Sequence, residues 1–176
     1  FCPACGHNSV TQTFSDSLRK IKAKKDGIDV VRKALIESIG KDEAELTCRS
    51  LRETCISDGV VAFQKYCEGM YEGFGKIPFN AFQRLEQGSQ LWSIAVQKCY
   101  NDWLSDEALA KLNILYQKRH LLSHNEGIVD SQYINKSGDT AYKEGQRIVI
   151  IDKDIDSLVS SLEKLSNGIK SVCSNI

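Results

Sequence analysis

Apolar residues recur at intervals of three and four along most of this chain, the spacing that lines one face of an α-helix. The longest such pattern runs from Asp42 to Tyr71 and predicts a helix of about 25 to 30 residues, in which Asp58-Gly59 is a candidate bend. The end of this helix is marked by breakers, namely Gly69, Gly73, Gly75 and Pro78. A helix of this length suits the spine of a helical bundle.

Shorter helices are predicted on either side of the long one. On the N-terminal side, Asp26-Gly27 is expected to end the segment that precedes it. A helix is then predicted from Ile28 to Ile39, with Gly40 at its C-terminal end. Its expected buried stripe consists of Ile28, Val31, Leu35 and Ile39. On the C-terminal side, Phe79 to Gly88 is expected to be a short helix or an ordered loop, and Leu91 to Leu104 another helix.

A further helix is predicted from Asp106 to about Asn125, because Ser105 and Asp106 offer N-cap chemistry and Gly127 suits a C-terminal cap. Its apolar stripe is Leu109, Leu112, Leu115, Tyr116 and Leu122. Residues 128–145 are polar and turn-rich, as in a flexible loop.

The last part of the chain predicts a short β-type run followed by a helix. Arg147 to Ile151 is expected to pair locally or with a second copy of the chain. Asp152 or Asp154 then starts a helix whose stripe is Ile155, Leu158, Val159, Leu162, Leu165, Ile169 and Val172. The patterns together predict an all-α fold, a bundle of about four to six helices with one short β-type segment.

Composition is that of an ordinary globular protein, with 176 residues, 41% hydrophobic and 26% charged. No apolar run approaches the ~20 residues that span a bilayer, and no signal-peptide pattern is present. The chain begins at Phe1 rather than Met, so we expect a fragment or a processed product. The formal net charge is zero, so any contact with RNA depends on local patches.

One local basic cluster stands near the N-terminus and consists of Arg19, Lys20, Lys22, Lys24 and Lys25. It could follow an RNA backbone, but a solvated helix face is the favoured interpretation. The aromatic residues Trp92, Tyr100 and Trp103 could stack on bases, but at helical spacing they are more often core or interface residues.

Seven cysteines are too few and too dispersed for a disulfide scaffold, and their number is odd. A reducing cytoplasm is therefore expected, with five of them acting as small buried hydrophobic residues: Cys48, Cys55, Cys67, Cys99 and Cys173.

The other two, Cys2 and Cys5, belong to Cys-x2-Cys-Gly, the pattern of a zinc knuckle. We expect a partial structural zinc site within residues 1–13, with His7 as a candidate third ligand and the remaining ligands unknown, ahead of a helical domain over residues 14–176. The other interpretation is a pair of unmetallated thiols.

Candidate chemistry is concentrated at Arg119, His120 and His124, at the end of the predicted Asp106–Asn125 helix. His120 and His124 are separated by about 40° around the axis and share a face, whereas Arg119 and His124 are separated by about 140°. Arg119 and His124 therefore converge only if the last turn distorts or if two copies of the helix meet across a two-fold axis, which predicts a homodimer. A planar guanidinium that grips phosphate and a side chain that titrates near neutrality suit the cleavage of a phosphodiester without metal.

Arg119-His120-Leu121-Leu122-Ser123-His124 resembles the signature of the HEPN superfamily, in which arginine is followed by Asn, Asp or His, then by three residues and a histidine. The continuation through Gly127, Val129-Asp130 and Tyr133-Ile134 is similar to that of a bacterial subset, and Gly145 to Ile150 fits the same subset. Arginine and histidine at this spacing alone are a weak signal, and the polar second position, the helical context and the continuation make the resemblance more specific.

The resemblance implies a HEPN-like helical bundle that acts as a metal-independent endoribonuclease, with 2′,3′-cyclic phosphate and 5′-hydroxyl products and no catalytic cofactor. It implies that Arg119 holds the scissile phosphate, that His124 transfers a proton, and that His120 orients the substrate or shares the transfer. Such domains often serve as toxins or anti-phage effectors. RNA, a second copy of the chain and an antitoxin or defence-system protein are thus the implied partners, in the cytoplasm and away from membranes.

Three other interpretations of these residues stay open. A non-catalytic HEPN module would bind RNA or a protein partner, with the zinc knuckle as a docking element. His120 and His124 could share a zinc ion, although no Glu or Cys with suitable spacing accompanies them. They could also be ordinary helix residues, with His124 favoured by the helix dipole and Arg119 paired with Glu126 or another acid.

Overall fold

The computed structural model describes residues 9–173, which contain six α-helices. In chain order these are α1 (Val10–Ile39), α2 (Lys41–Met70), α3 (Leu85–Val96), α4 (Asp106–His124), α5 (Ser131–Ser137) and α6 (Asp152–Cys173). Two 3₁₀ turns, Ala81–Gln83 and Tyr100–Asp102, lie on either side of α3. The predicted all-α fold is confirmed, and α1 begins ahead of the predicted domain boundary at residue 14.

The centre of the bundle is α2, against which α1, α4 and α6 pack. Helices α1 and α2 form a hairpin around Gly40, whose φ of 93° lies in the left-handed region that glycine adopts without strain. The core side chains are large and apolar, and include Ile56, Val60, Phe63, Leu112, Leu158 and Leu162. The predicted long helix and the helix that carries the signature are therefore both central.

Helices α1 and α2 both continue through the glycines that are expected to disturb them. Helix α1 continues through Asp26-Gly27, so the predicted interruption there is wrong. Helix α2 continues through Gly59, and a Cβ at that position would lie 2.7 Å from Leu158 Cδ2 of α6. Gly59 serves the close packing of α2 on α6, which outweighs the modest cost of glycine within a helix.

The predicted stripe at the end of α1 is largely uncovered. Ile28 is buried and Leu35 half-buried, whereas Val31 and Ile39 are exposed. The spacing of these apolar residues correctly predicted a helix, but the prediction that all four are buried is wrong.

The predicted helix Leu91 to Leu104 has different bounds, since α3 ends at Val96 and Gln97 takes a left-handed conformation. Helix α3 starts at Leu85, within the segment expected to be a short helix or loop. The buried aromatic residues Trp92 and Tyr100 explain the error, because they lie on different elements of the same core.

The segment between α4 and α6 is more ordered than its composition suggested. It contains α5, whose N-cap Asp130 accepts a hydrogen bond from Tyr133 N at 2.7 Å. Arg147 forms an isolated antiparallel bridge with Ile128, so the β-type run pairs locally as one of the two expected outcomes. Helix α6 begins at Asp152, and six of its seven predicted stripe residues are buried, Val172 being half-buried.

Cysteine burial follows the prediction in part. Cys48, Cys55 and Cys67 are buried, but Cys99 and Cys173 are only half-buried, because each lies near the end of an element where fewer side chains cover it. None of the helices within residues 9–173 combines the length and the apolar character needed to cross a membrane.

Candidate functional site

The signature residues lie at the C-terminal end of α4, and local capping explains where that helix begins and ends. Ser105 Oγ accepts a hydrogen bond from Ala108 N at 3.3 Å at the first turn. At the other end, Gly127 N donates to Leu121 O at 3.0 Å, and Gly127 has a left-handed φ of 77°. The chain thus turns away directly after the signature and leaves its last turn at the surface.

Arg147 fixes this end of α4 to the rest of the bundle. Its Nη2 donates to Glu53 Oε1 of α2 at 2.9 Å, and its Nη1 donates to Glu126 O just after α4. Ile148 N adds a hydrogen bond to Gly127 O at 2.9 Å. Sequence patterns do not indicate this role, because Arg147 is distant along the chain from both partners.

His120 and His124 are adjacent on the exposed face of α4, with ring centroids 4.7 Å apart and ring planes inclined by 48°. Their expected position on one face of the helix is therefore confirmed. Two imidazoles this close can together remove and return protons around one substrate.

Helix α5 packs beside the two histidines. Asn113 Nδ2 donates to Lys136 O at 2.9 Å, which ties the C-terminal end of α5 to α4 two turns before His120. Lys136 is exposed. Its positive charge helps to lower the pKa of His120. Sequence reasoning missed this charge, since nothing in the local pattern indicated that α5 folds back on α4.

Partial burial lowers the pKa of His120, and the nearby positive charges of His124, Lys136 and Arg119 lower it further, while Asp130 opposes them. The neutral imidazole is the form favoured by this environment. A neutral imidazole at physiological pH can accept a proton, as a general base must.

Arg119 is half-buried and extends towards the 3₁₀ turn before α3, where its Nη1 donates to Gln83 Oε1 at 3.2 Å. Its hydrogen-bond partner is thus an amide rather than the acid, such as Glu126, that one interpretation expected. Arg119 Nε is buried and has no hydrogen-bond partner within residues 9–173. The arginine and His124 occupy different sides of the helix, as their spacing predicted.

The N-terminal basic cluster is largely neutralised by acids. Lys22 pairs with Glu163 at 2.7 Å and Lys24 with Asp58 at 2.7 Å. The others that pair are Arg19 with Asp16 and Lys25 with Asp156. These pairs support the interpretation as a solvated helix face. Two of the candidate stacking residues, Trp92 and Tyr100, are core residues, and Trp103 is half-buried.

The proposed zinc ligands Cys2, Cys5 and His7 lie outside the described residues. Within residues 9–173, no group of three or more His, Cys, Asp or Glu side chains is placed to hold a metal ion. His120 and His124 accordingly have no third ligand in this part of the chain, and structural zinc usually takes four.

Comparison of the chain with protein-family models, with curated proteins and with solved structures gives no match. The likeness to the HEPN superfamily therefore rests on the signature residues and their continuation.

Proposed function

We propose that this chain is a metal-independent endoribonuclease of the HEPN type that cleaves RNA by attack of the ribose 2′-hydroxyl. The observation that carries the proposal is the pair of adjacent, exposed imidazoles of His120 and His124. Arg119 directly precedes His120 in the sequence. The lowered pKa of His120, caused first by partial burial, adds a proton acceptor at neutral pH.

In the proposed reaction, an imidazole accepts the proton of the 2′-hydroxyl as the 2′-oxygen forms a bond to phosphorus. The bond from phosphorus to the 5′-oxygen breaks, and the 5′-oxygen receives a proton from an imidazolium, which leaves a 2′,3′-cyclic phosphate and a 5′-hydroxyl end. His124 transfers a proton, His120 orients the substrate or shares the transfer, and Arg119 stabilises the charge that develops on the phosphate oxygens. This chemistry fits a toxin or an anti-phage effector.

A second candidate is a non-catalytic module that binds a protein. Its support is that the α1–α2 hairpin leaves several large apolar side chains exposed, with Val30 71% exposed, Ile39 48% and Leu46 53%. Apolar side chains at the surface are available for contact with a protein partner. Such a partner could equally be the antitoxin or defence-system protein of an active nuclease.

A cleavage assay on fluorogenic single-stranded RNA in the presence of EDTA tests the nuclease proposal. His124→Ala should lower the rate by about 10²- to 10⁴-fold, the usual contribution of general acid–base catalysis. Arg119→Lys should also be severe, because lysine retains the charge but loses the two-point grip. His120→Asn should be intermediate, since an amide still orients phosphate or ribose.

Ser123→Ala is the matched control, because Ser123 is an exposed neighbour in the same turn, and it should leave the rate unchanged. EDTA should have no effect, whereas a metal centre at the histidines would make their two variants equally inactive and the reaction sensitive to EDTA. Cleavage at the wild-type rate by folded His124→Ala protein would refute the nuclease assignment of this site.

A further inference from the structure

Four polar side chains from three elements form a continuous hydrogen-bonded chain that ends at Arg119. Gln64 Nε2 donates to Glu68 Oε1 at 2.8 Å within α2, and Gln83 Nε2 donates to Gln64 Oε1 at 2.6 Å. Arg119 Nη1 of α4 then donates to Gln83 Oε1 at 3.2 Å. All four residues are half-buried, so water competes only partly for these bonds.

The two ends of this chain dictate the orientation of both amides. An ionised carboxylate such as Glu68 only accepts hydrogen bonds, and a guanidinium only donates them. Gln64 must therefore turn its NH₂ towards Glu68 and its oxygen towards Gln83. Gln83 must in turn present its own oxygen to Arg119. Any other orientation of either glutamine would place two donors or two acceptors against each other.

The acceptor that Arg119 meets is therefore strongly oriented but uncharged. A carboxylate in the same place would pair with the guanidinium and oppose its attraction for a phosphate. Gln83 engages Nη1, and a guanidinium carries five N–H donors, so donors remain for a substrate oxygen. Arg119 is thus held in place without losing its charge.

We propose that Gln83 is the positioning residue for Arg119, and that Glu68 acts through Gln64 to fix the amide of Gln83 as an acceptor. Gln83 does not touch the reacting atoms in this account. The proposal rests on the proposed function in one respect, that Arg119 binds an RNA phosphate.

The test compares Gln83→Met, Gln83→Glu and Glu68→Met with wild type, with two readouts. One is kcat and KM for RNA cleavage, and the other is affinity for a single-stranded RNA made uncleavable by 2′-deoxy substitution. Gln90→Met is the matched control, because Gln90 is an exposed glutamine of α3 that hydrogen-bonds Glu86 instead. Thermal unfolding establishes that each variant is folded.

Gln83→Met should lower kcat/KM about 10-fold, the scale of a lost hydrogen bond to a charged group. Glu68→Met should have a smaller effect in the same direction. Gln83→Glu should act chiefly by raising KM and weakening binding of the uncleavable RNA, because the new carboxylate neutralises Arg119. Gln90→Met should match wild type.

The decisive measurement adds Gln83→Met to Arg119→Ala protein and follows affinity for the uncleavable RNA, which should not fall further, since the side chain that Gln83 positions is gone. An equal loss of affinity with and without the Arg119 side chain, or no loss in either, would overturn the role of Gln83. If wild-type protein does not cleave RNA, the nuclease proposal fails, and this comparison of RNA affinity still tests Gln83. Absence of both cleavage and RNA binding overturns the Gln83 proposal as well.

Discussion

Neighbouring side chains at the end of α4 experience different surroundings. Arg119 is half-buried against Gln83, whereas the side chains of His120 and His124 are mostly but not wholly exposed. The pKa of His120 is lowered because partial burial and nearby positive charges disfavour its imidazolium form. The surroundings that keep the His120 imidazole neutral at physiological pH therefore also disfavour its protonated form in the folded protein. Protonation of His120 lowers the stability of the folded state.

Acidification should consequently destabilise the protein through His120. The pKa of this group is lower in the folded than in the unfolded state, so the unfolded chain binds more protons as the pH falls below about 6.5. The associated stability is present above that pH and is lost as the pH falls through the folded pKa. Thermal unfolding of wild type and His120→Asn between about pH 8 and about pH 5 measures this difference.

The unfolding temperature of wild type should fall more steeply with acid than that of His120→Asn. Identical slopes for the two proteins would show that His120 contributes nothing to the pH dependence. A steeper fall in the variant would contradict the direction of the pKa shift.

At the scale of elements, two glycines occupy the middle of long helices for different reasons. A Cβ at Gly27 of α1 would have no neighbour within 4 Å, whereas one at Gly59 of α2 would lie 2.7 Å from Leu158 Cδ2. Leu158 is fully buried between α2 and α6, so it has little room to move. Gly27 lowers the helix propensity of α1 and has no packing role, since nothing lies within 4 Å of its Cβ position. Gly59 permits close contact between α2 and α6.

Substitution of each glycine by alanine should therefore act in opposite directions. Gly27→Ala should raise the free energy of unfolding by about 0.5–1 kcal/mol, the difference in helix propensity. Gly59→Ala gains the same propensity, but overpacking costs about 1–3 kcal/mol, so a net loss of about 1 kcal/mol is expected. Urea titration of both variants checks the signs, and a change of the same sign in both would contradict this account of Gly59.

At the scale of the whole molecule, the separation of Arg119 from His124 around α4 has a consequence for assembly. One helix presents the arginine towards the Gln83 turn and the histidines towards α5. Two copies related by a two-fold axis would bring the guanidinium of one chain to the imidazole of its partner. The proposed active unit is therefore a homodimer with its α4 ends facing.

Mixing inactive variants tests this composite site. Arg119→Ala and His124→Ala proteins should each be inactive, but a mixture equilibrated by subunit exchange should regain part of the activity, because one of the two sites in a mixed dimer retains both residues. Light scattering should give the mass of a dimer at micromolar concentration. A monomer with full nuclease activity would exclude the composite site.

Much of the fold could be predicted because helical periodicity is a local property. The stripe of α6 and the Ser105 N-cap of α4 depend on residues within a few turns of each other, and both predictions match the structure. The predicted bounds of α3 were wrong because Trp92 and Tyr100 are both buried in the core and were assigned to one helix. In the structure they belong to separate elements, α3 and the 3₁₀ turn that follows it. Helix α5 was missed because its seven residues are mostly polar.

The sequence by itself determined the helical class, the face shared by His120 and His124, and the divergence of Arg119 from His124, since each follows from 3.6 residues per turn. Tertiary structure alone decided that Gln83 meets Arg119, that Lys136 approaches His120, and that acids neutralise most of the N-terminal basic residues. These contacts join residues far apart in the chain. Their existence depends on how the helices pack, and helical periodicity specifies which face of a helix is apolar without specifying which helix covers it.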